Sequence, residues 1–350
     1  MKTQSLEISF WVIALASKCQ SLSPQNTLIL ALLICMAWLA ISLLHWAHPG
    51  GPAWGKYHTK TTTKDTANNP TIPGPRGLPI LGSLNLMSNL AHRRLAGAAA
   101  QLGATRLMAF SLGGTRAILT CNPDVAREIL NGSAFADRPV KESAYGLMFD
   151  RAVGFAPYGA YWRTLRRIAA THLFSPRQIS ASERQRRRIA DQMVSVIGRN
   201  STNANKKFVV VREVLKRASL HNMMGSVFGR EYELGSANAE SEELSRLVEE
   251  GYELLGKLNW SDHLPWVGSL DLQRIRFRCS QLVPKVNRFV SRIVEEHREA
   301  NDKSTERSGN SHKDFVDVLL SLQGPDKLSD HDMIAVLWVS HNSYIKKKVK

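Results

Sequence analysis

Residues 155–168 read FAPYGAYWRTLRRI, a Pro-Gly turn that hands over to a helical pattern carrying Trp162 and Arg166. Positions four apart share one helix face, so the indole N–H of Trp162 and the guanidinium of Arg166 can point at the same partner. That partner is expected to be an anion. Arg offers a planar fork of donors suited to a carboxylate or phosphate, and Trp adds one donor plus an apolar plate that can lie along a flat ligand. A half-buried Trp beside a solvated Arg has the same spelling, so the reading rests on the neighbouring segments.

Upstream stand Phe135-Ala136-Asp137-Arg138-Pro139 and the proline-rich Pro73-Gly74-Pro75-Arg76-Gly77-Leu78-Pro79; downstream stand Asn259-Trp260-Ser261-Asp262-His263 and Asp314-Phe315-Val316-Asp317-Val318-Leu319-Leu320. Taken in this order over roughly residues 70 to 338, the set resembles the plant cytochrome P450 monooxygenases, and in particular their 78A-type subfamily. The resemblance implies a mainly α fold with a small β region, the N-terminal part of the cytochrome P450 fold behind one transmembrane helix. It implies haem b as cofactor, with Trp162 and Arg166 anchoring its propionates. The connection Val140 to Gly154 lies over the haem in that family, so Leu147, Met148, Phe149 and Val153 are expected to line a substrate pocket. A loop packing its own apolar residues would look the same. The implied activity is insertion of one oxygen from O2 into a small lipophilic substrate, with electrons from an NADPH-cytochrome reductase.

The chain has 350 residues, 43% of them hydrophobic, enough for a sizeable core in one large domain or two. Its net charge of +16 raises nucleic acid as a partner. However, the charge is not gathered into one basic arm with interleaved aromatics, so no nucleic-acid partner is expected. A basic face instead suits anionic lipid or an acidic electron-donor protein. The four cysteines, Cys19, Cys35, Cys121 and Cys279, lie far apart without C-x-x-C spacing, so neither a zinc site nor a disulfide framework is indicated. Asn131, Asn200 and Asn259 open N-x-S/T sequons that matter only in a lumenal segment.

From Thr27 to Ala47 there is no Asp, Glu, Lys or Arg, about the length needed to cross a bilayer, and Trp46 stands near its end. Residues 27–47 are therefore expected to be a retained anchor after a leader of residues 1–26. Ile8 to Ser17 is a second membrane-seeking segment or part of the leader. Lys56, Lys60 and Lys64 follow the anchor and only Lys18 closely precedes it, which puts the downstream part in the cytosol, at the endoplasmic reticulum for a chain of this family. Residues 48–82 read as a linker and stiff proline-rich hinge.

Leu107–Leu112 and Arg116–Thr120 flank Gly113-Gly114 and predict a hairpin, and Asn122-Pro123 predicts a helix start. Apolar stripes at Ile189/Met193/Val196/Ile197, Val211/Val214/Leu215/Ala218 and Val286/Phe289/Val290/Ile293/Val294 predict buried helix faces. In Asn259–Leu270, Trp260, Leu264 and Trp266 either dip into lipid or pack on their own helices. Asn301–His312 reads as a polar linker, and Ser329 with Asp332 as a capping box.

The resemblance stops after Trp338, where residues 339–350 form a divergent basic tail with a dilysine-like end. Residues 83–338 are thus expected to be an incomplete cytochrome P450 domain. Neither Cys121 nor Cys279 has the Phe-x-x-Gly-x-Arg-x-Cys context of the family's iron ligand, so no catalytic residue and no metal ligand is expected in this chain. Glu183/Arg186, Glu243/Arg246 and Glu295/Arg298 read as i,i+3 surface pairs. The chain is expected to be inactive alone. The rival expectation is a non-catalytic, membrane-anchored truncated form that competes for the reductase or for partners.

Overall fold

The computed structural model describes residues 24–60, 72–201, 210–234, 238–304 and 314–338. Ile8–Ser17, Lys64, Pro70 and the basic tail lie outside them. The described residues are mainly helical with one two-stranded sheet, as expected, and form two compact units divided between Ile129 and Leu130. That division falls inside the 83–338 span read from sequence as one domain.

In the first unit, α1 spans Pro24–Trp46; its Gln25–Trp46 stretch is long and apolar enough to cross a membrane, and Leu28, Leu32, Leu33 and Trp38 are exposed along it. Where a linker is expected, Pro52–Lys60 instead forms a helix, α2. Its composition carries no apolar period, but its side chains find partners on the hairpin strands β1 (Met108–Leu112) and β2 (Thr115–Leu119). Trp54 Nε1 donates to the Phe110 carbonyl at 3.0 Å, and Ser111 Oγ accepts from Ala53 N at 3.1 Å while donating to the Gly50 carbonyl. The strands pair antiparallel around Gly113-Gly114, with Met108 opposite Leu119 and Leu112 opposite Thr115.

Every residue of β1 is buried because both pleat faces are covered. Met108, Phe110 and Leu112 join Leu95 and Ala99 of α3 (Ala91–Gln101), and Ala109 and Ser111 face the α2 side. The hinge is not a free spacer. Ala109 N donates to the Pro73 carbonyl, Ser83 N to the Ser111 carbonyl and Gly113 N to the Leu81 carbonyl, at 2.7–3.0 Å, so the proline-rich stretch lies along β1. Gly82, at φ +61°, makes this approach possible: a Cβ there would strike the Ser111 backbone. Asn122 caps α4 (Pro123–Asn131) through the N–H groups of Asp124 and Val125, as its sequence predicts.

The second unit is helical: α5 Glu142–Gly146, α6 Ala160–Ile168, α7 Pro176–Ala181, α8 Glu183–Ser201, α9 Val211–Phe228, α10 Ala239–Gly256, α11 Trp260–His263, α12 Ile275–Ser304, α13 Phe315–Ser321 and α14 over residues 330–338. A turn of π-helix, Ala169–Leu173, follows α6. The core joins Met223, Met224, Val227 and Phe228 of α9 to Leu244, Leu247 and Leu254 of α10, the whole predicted stripe of α12, and Ala335, Leu337 and Trp338 of α14.

The predicted stripe of α9 divides. Val214 and Ala218 pack with Ile189 of α8, whereas Val211 and Leu215 are exposed, as is Val194. Asn301–Ser304, read as linker, continue α12. Of the three Glu-x-x-Arg patterns only Glu295–Arg298 pairs as expected. Glu183 pairs with Arg187, and Glu243 with Arg292. Ser329 caps α14 as expected, accepting from the Asp332 N–H, but closes the predicted box through its hydroxyl, which donates to the Asp332 carboxylate.

Candidate functional site

The shared face of Trp162 and Arg166 is real, and the two residues meet each other on it. The Arg166 guanidinium lies over the Trp162 ring at 5.3 Å from its centroid. Tyr158 packs against the same indole at 5.4 Å, and Arg163 lies over Tyr158 at 5.8 Å, giving a ladder of alternating rings and cations along α6. Leu165 and Ile168 form the buried side of the helix, which leaves Arg163, Arg166 and Arg167 exposed. Arg167 is bound to Asp326, whereas Arg166 has no carboxylate partner among the described residues.

The indole N–H does not point outward with Arg166. It donates to the Val153 carbonyl at 3.0 Å, fastening the end of the 140–154 connection to α6. Arg138 Nε donates to the next carbonyl, Gly154, at 3.3 Å. Asp137 accepts from the N–H groups of Tyr158 and Arg138 at 3.0 and 2.9 Å, which holds its carboxyl below the usual range. Asp137 and Arg138 therefore build the corner from which α6 starts. Sequence reading reached them only as a family likeness, because short polar segments carry no period.

Leu147, Met148 and Phe149 are buried in the main core, and Phe149 stacks on Phe155 with centroids 6.3 Å apart. Val153 is half-buried beside them. Met148 adopts φ +65°, a left-handed conformation that a non-Gly residue holds only when its surroundings fix it. Next to this stretch, the Tyr161 hydroxyl lies 2.9 Å from the Arg151 carbonyl and 3.1 Å from the Asp332 carboxylate. Burial and that carboxylate push its pKa up.

The exposed fork of Arg166 on its indole shelf, with Arg138 at the same corner, fits the carboxylate groups of a flat prosthetic group. The Trp162 N–H would have to leave Val153 to join it. Of the described cysteines, Cys121 and Cys35 are exposed. Cys279 lies in the core, where burial pushes its thiol up to about 11 and keeps it protonated at neutral pH. His297, Asp314 and Asp317 come close enough to share an ion, but they satisfy one another: His297 contacts the Ile293 carbonyl and Asp314, and Asp314 and Asp317 cap α13 reciprocally.

A family model, that of cytochrome P450, matches residues 72–339, a span that contains this whole corner. The chain belongs to the cytochrome P450 family. Its curated relatives include cytochrome P450 78A9 and 78A6 of Arabidopsis thaliana, each 59% identical over 95% and 93% of this chain, and cytochrome P450 78A3 of Glycine max, 56% identical over 96%. The plant 78A-type resemblance is thereby shown. A trimethyltridecatetraene synthase of Zea mays is 34% identical over 73% of the chain. The chain spans 60%, 60% and 61% of the length of those three 78A relatives.

Proposed function

We propose that this chain is part of a membrane-anchored, haem-dependent monooxygenase of the plant 78A type, acting on a small lipophilic substrate. The observation that carries the reading is the stack of Arg166 on Trp162, with Arg138 at the same corner. In the holoprotein, Arg166 holds a propionate through its fork, and the indole of Trp162 flanks it. The haem, when bound, would supply dioxygen activation. Half-buried Val153, with Leu147, Met148 and Phe149 packed in the core behind it, would give the apolar wall that selects the substrate.

Helix α1 anchors the protein in the endoplasmic reticulum membrane with the part downstream of it in the cytosol. Exposed Arg163, Arg177 and Arg184 offer positive charge to an acidic NADPH-cytochrome reductase. Cys279 is packed in the core and not placed to ligate a haem, and a second reading makes the chain by itself a non-catalytic membrane form competing for that reductase.

The test completes the chain with the remaining part of a 78A relative and measures haem content and the reduced, carbon-monoxide-bound spectrum. Trp162→Ala and Arg166→Ala are each expected to lower haem retention severalfold. Unchanged haem content in both variants would falsify the assignment. A thiolate-haem spectrum from the uncompleted chain would remove the second reading.

A further inference from the structure

Two segments from beyond the last turn of α1 return to grip it, and each brings a cation. Trp46 Nε1 donates to the Gly77 carbonyl at 2.6 Å, which sets Arg76 beside that turn. Gly50 and Gly51, at φ +85° and +87°, reverse the chain so that α2 lies against the same turn. Gly55 comes so close to the His45 carbonyl that a Cβ there would strike it, and Lys56 follows Gly55 directly. Trp54 is pinned through its indole N–H to the Phe110 carbonyl, with Arg116 over its ring at 5.6 Å. Lys56 and Arg76 are exposed and have no carboxylate partner among the described residues. The described residues from Pro24 to Pro123 in fact contain no Asp or Glu. The second unit is built otherwise: Arg151, Arg167, Arg188 and Arg278 are each bound to a carboxylate.

We propose that Lys56 and Arg76, with the indoles of Trp46 and Trp54, form a collar at the foot of α1 that binds anionic phospholipid headgroups in preference to zwitterionic ones. Indoles fixed at the end of a membrane-spanning helix sit at the level of the headgroups, and the cations beside them meet the phosphate layer. Charge of a single sign held within a Debye length of that layer attracts anionic lipid. A lysine on a loose linker would give up its freedom on binding, whereas these two cations are already held by the Trp46 bond and the glycine turn. An acidic protein would answer the same charge, but the anchor keeps the collar against lipid at all times, so lipid is the occupant that the fold supplies.

The proposal rests on the membrane reading of α1 and on neither haem nor substrate. The full chain is reconstituted in vesicles of phosphatidylcholine and phosphatidylserine, and electron spin resonance reads the fraction of each spin-labelled lipid held at the protein surface. Phosphatidylserine is expected to associate about threefold more strongly than phosphatidylcholine, with the preference fading at high salt. Lys56→Gln combined with Arg76→Gln should remove about half of that preference or more. Lys56→Arg combined with Arg76→Lys keeps both charges and should retain it. Arg212→Gln combined with Arg288→Gln, the same loss of charge in the second unit, should leave it unchanged. The collar is overturned if the parent holds both lipids equally, if the preference survives the glutamines at 56 and 76, or if the second-unit variant lowers it as much. An alkaline carbonate wash separates these results from failure of the anchor. Release of the chain would overturn the membrane reading and the collar together; retention without lipid preference overturns the collar alone and turns its charge over to an acidic protein partner.

Discussion

The Tyr161 hydroxyl lies 3.1 Å from the Asp332 carboxylate, joining the first turn of α6 to the first turn of α14 across 171 positions of sequence. Asp332 also binds Arg151 at 3.1 Å and closes the capping box with Ser329, so one carboxylate serves the 140–154 connection, α6 and α14 together.

Asp332→Ala therefore removes three side-chain contacts at once, with Ser329, Tyr161 and Arg151, while the backbone N–H at that position keeps its bond to the Ser329 hydroxyl. A loss of about 2–3 kcal/mol is expected, from the hydroxyl bonds of Tyr161 and Ser329 to a charged group and the part-exposed pair with Arg151. Tyr161→Phe, which leaves the Ser329 and Arg151 contacts of the carboxylate intact, should cost about 1 kcal/mol. Urea midpoints of the two variants check the ratio, and equal losses would contradict the shared role of Asp332.

Gly251 of α10 sits against Trp338. A Cβ at residue 251 would come within 2.9 Å of the Trp338 ring, which is 1% exposed and walled in by the core. Gly251→Ala would gain about 1 kcal/mol of helix propensity, but overpacking a rigid core costs about 1–3 kcal/mol. Net destabilisation is expected, with Trp338→Ala costing about 3–5 kcal/mol. Thermal unfolding of Gly251→Ala alone and combined with Trp338→Ala tests the contact: the alanine at 251 should be tolerated once the indole is gone.

His297 titrates upward because Asp314 holds its imidazolium, with the Ile293 carbonyl adding a second acceptor; Asp317 also faces it. A raised folded-state pKa contributes stability that is complete below the unfolded value, about 6.5, and is lost as pH rises through the folded value. Stability should fall as pH is raised from 6 through that range, and His297→Ala should flatten the profile. Denaturation midpoints across pH 5.5–9 decide it; an unchanged slope in the variant would refute the pairing.

The Asn259–Leu270 segment divides its apolar residues. Leu264 is buried, whereas Trp260 and Trp266 are 47% and 67% exposed, with Leu270 and Phe277 open beside them. Sedimentation with anionic vesicles of a form lacking residues 1–48 should weaken severalfold when Trp260 and Trp266 are both changed to Ser. Loss of binding to the same degree in a Leu130→Ser control would argue against a specific lipid contact.

Local chemistry was legible in the sequence. The Gly113-Gly114 turn, the Asn122 cap, the Ser329/Asp332 box and the shared face of Trp162 and Arg166 each depend on residues within a few positions of one another. What escaped it acts across distance. Helix α2 has no apolar period of its own and exists because Trp54 and Ala53 find β1 more than 55 positions away. The claim of Val153 on the Trp162 N–H redirects half of the expected anion site, and no pattern of residue types announces a carbonyl. Asn259 and Asp262, quoted only as part of a subfamily likeness, acquire a physical role once Glu142 lies beside them: Asp262 accepts from its N–H and Asn259 donates to its carboxylate.

The proline-rich stretch beside β1 has a consequence for association between molecules. A two-stranded hairpin has two open edges, and a bare edge of buried, apolar sequence such as Met108–Leu112 is a template for a foreign strand. Here the chain's own residues 73–83 occupy that edge, offering prolines where a recruited strand would need amide donors. Among the described residues β2 forms the sheet's other edge, with Thr115, Arg116 and Ile118 exposed. The hinge thus guards the sheet against edge-to-edge aggregation.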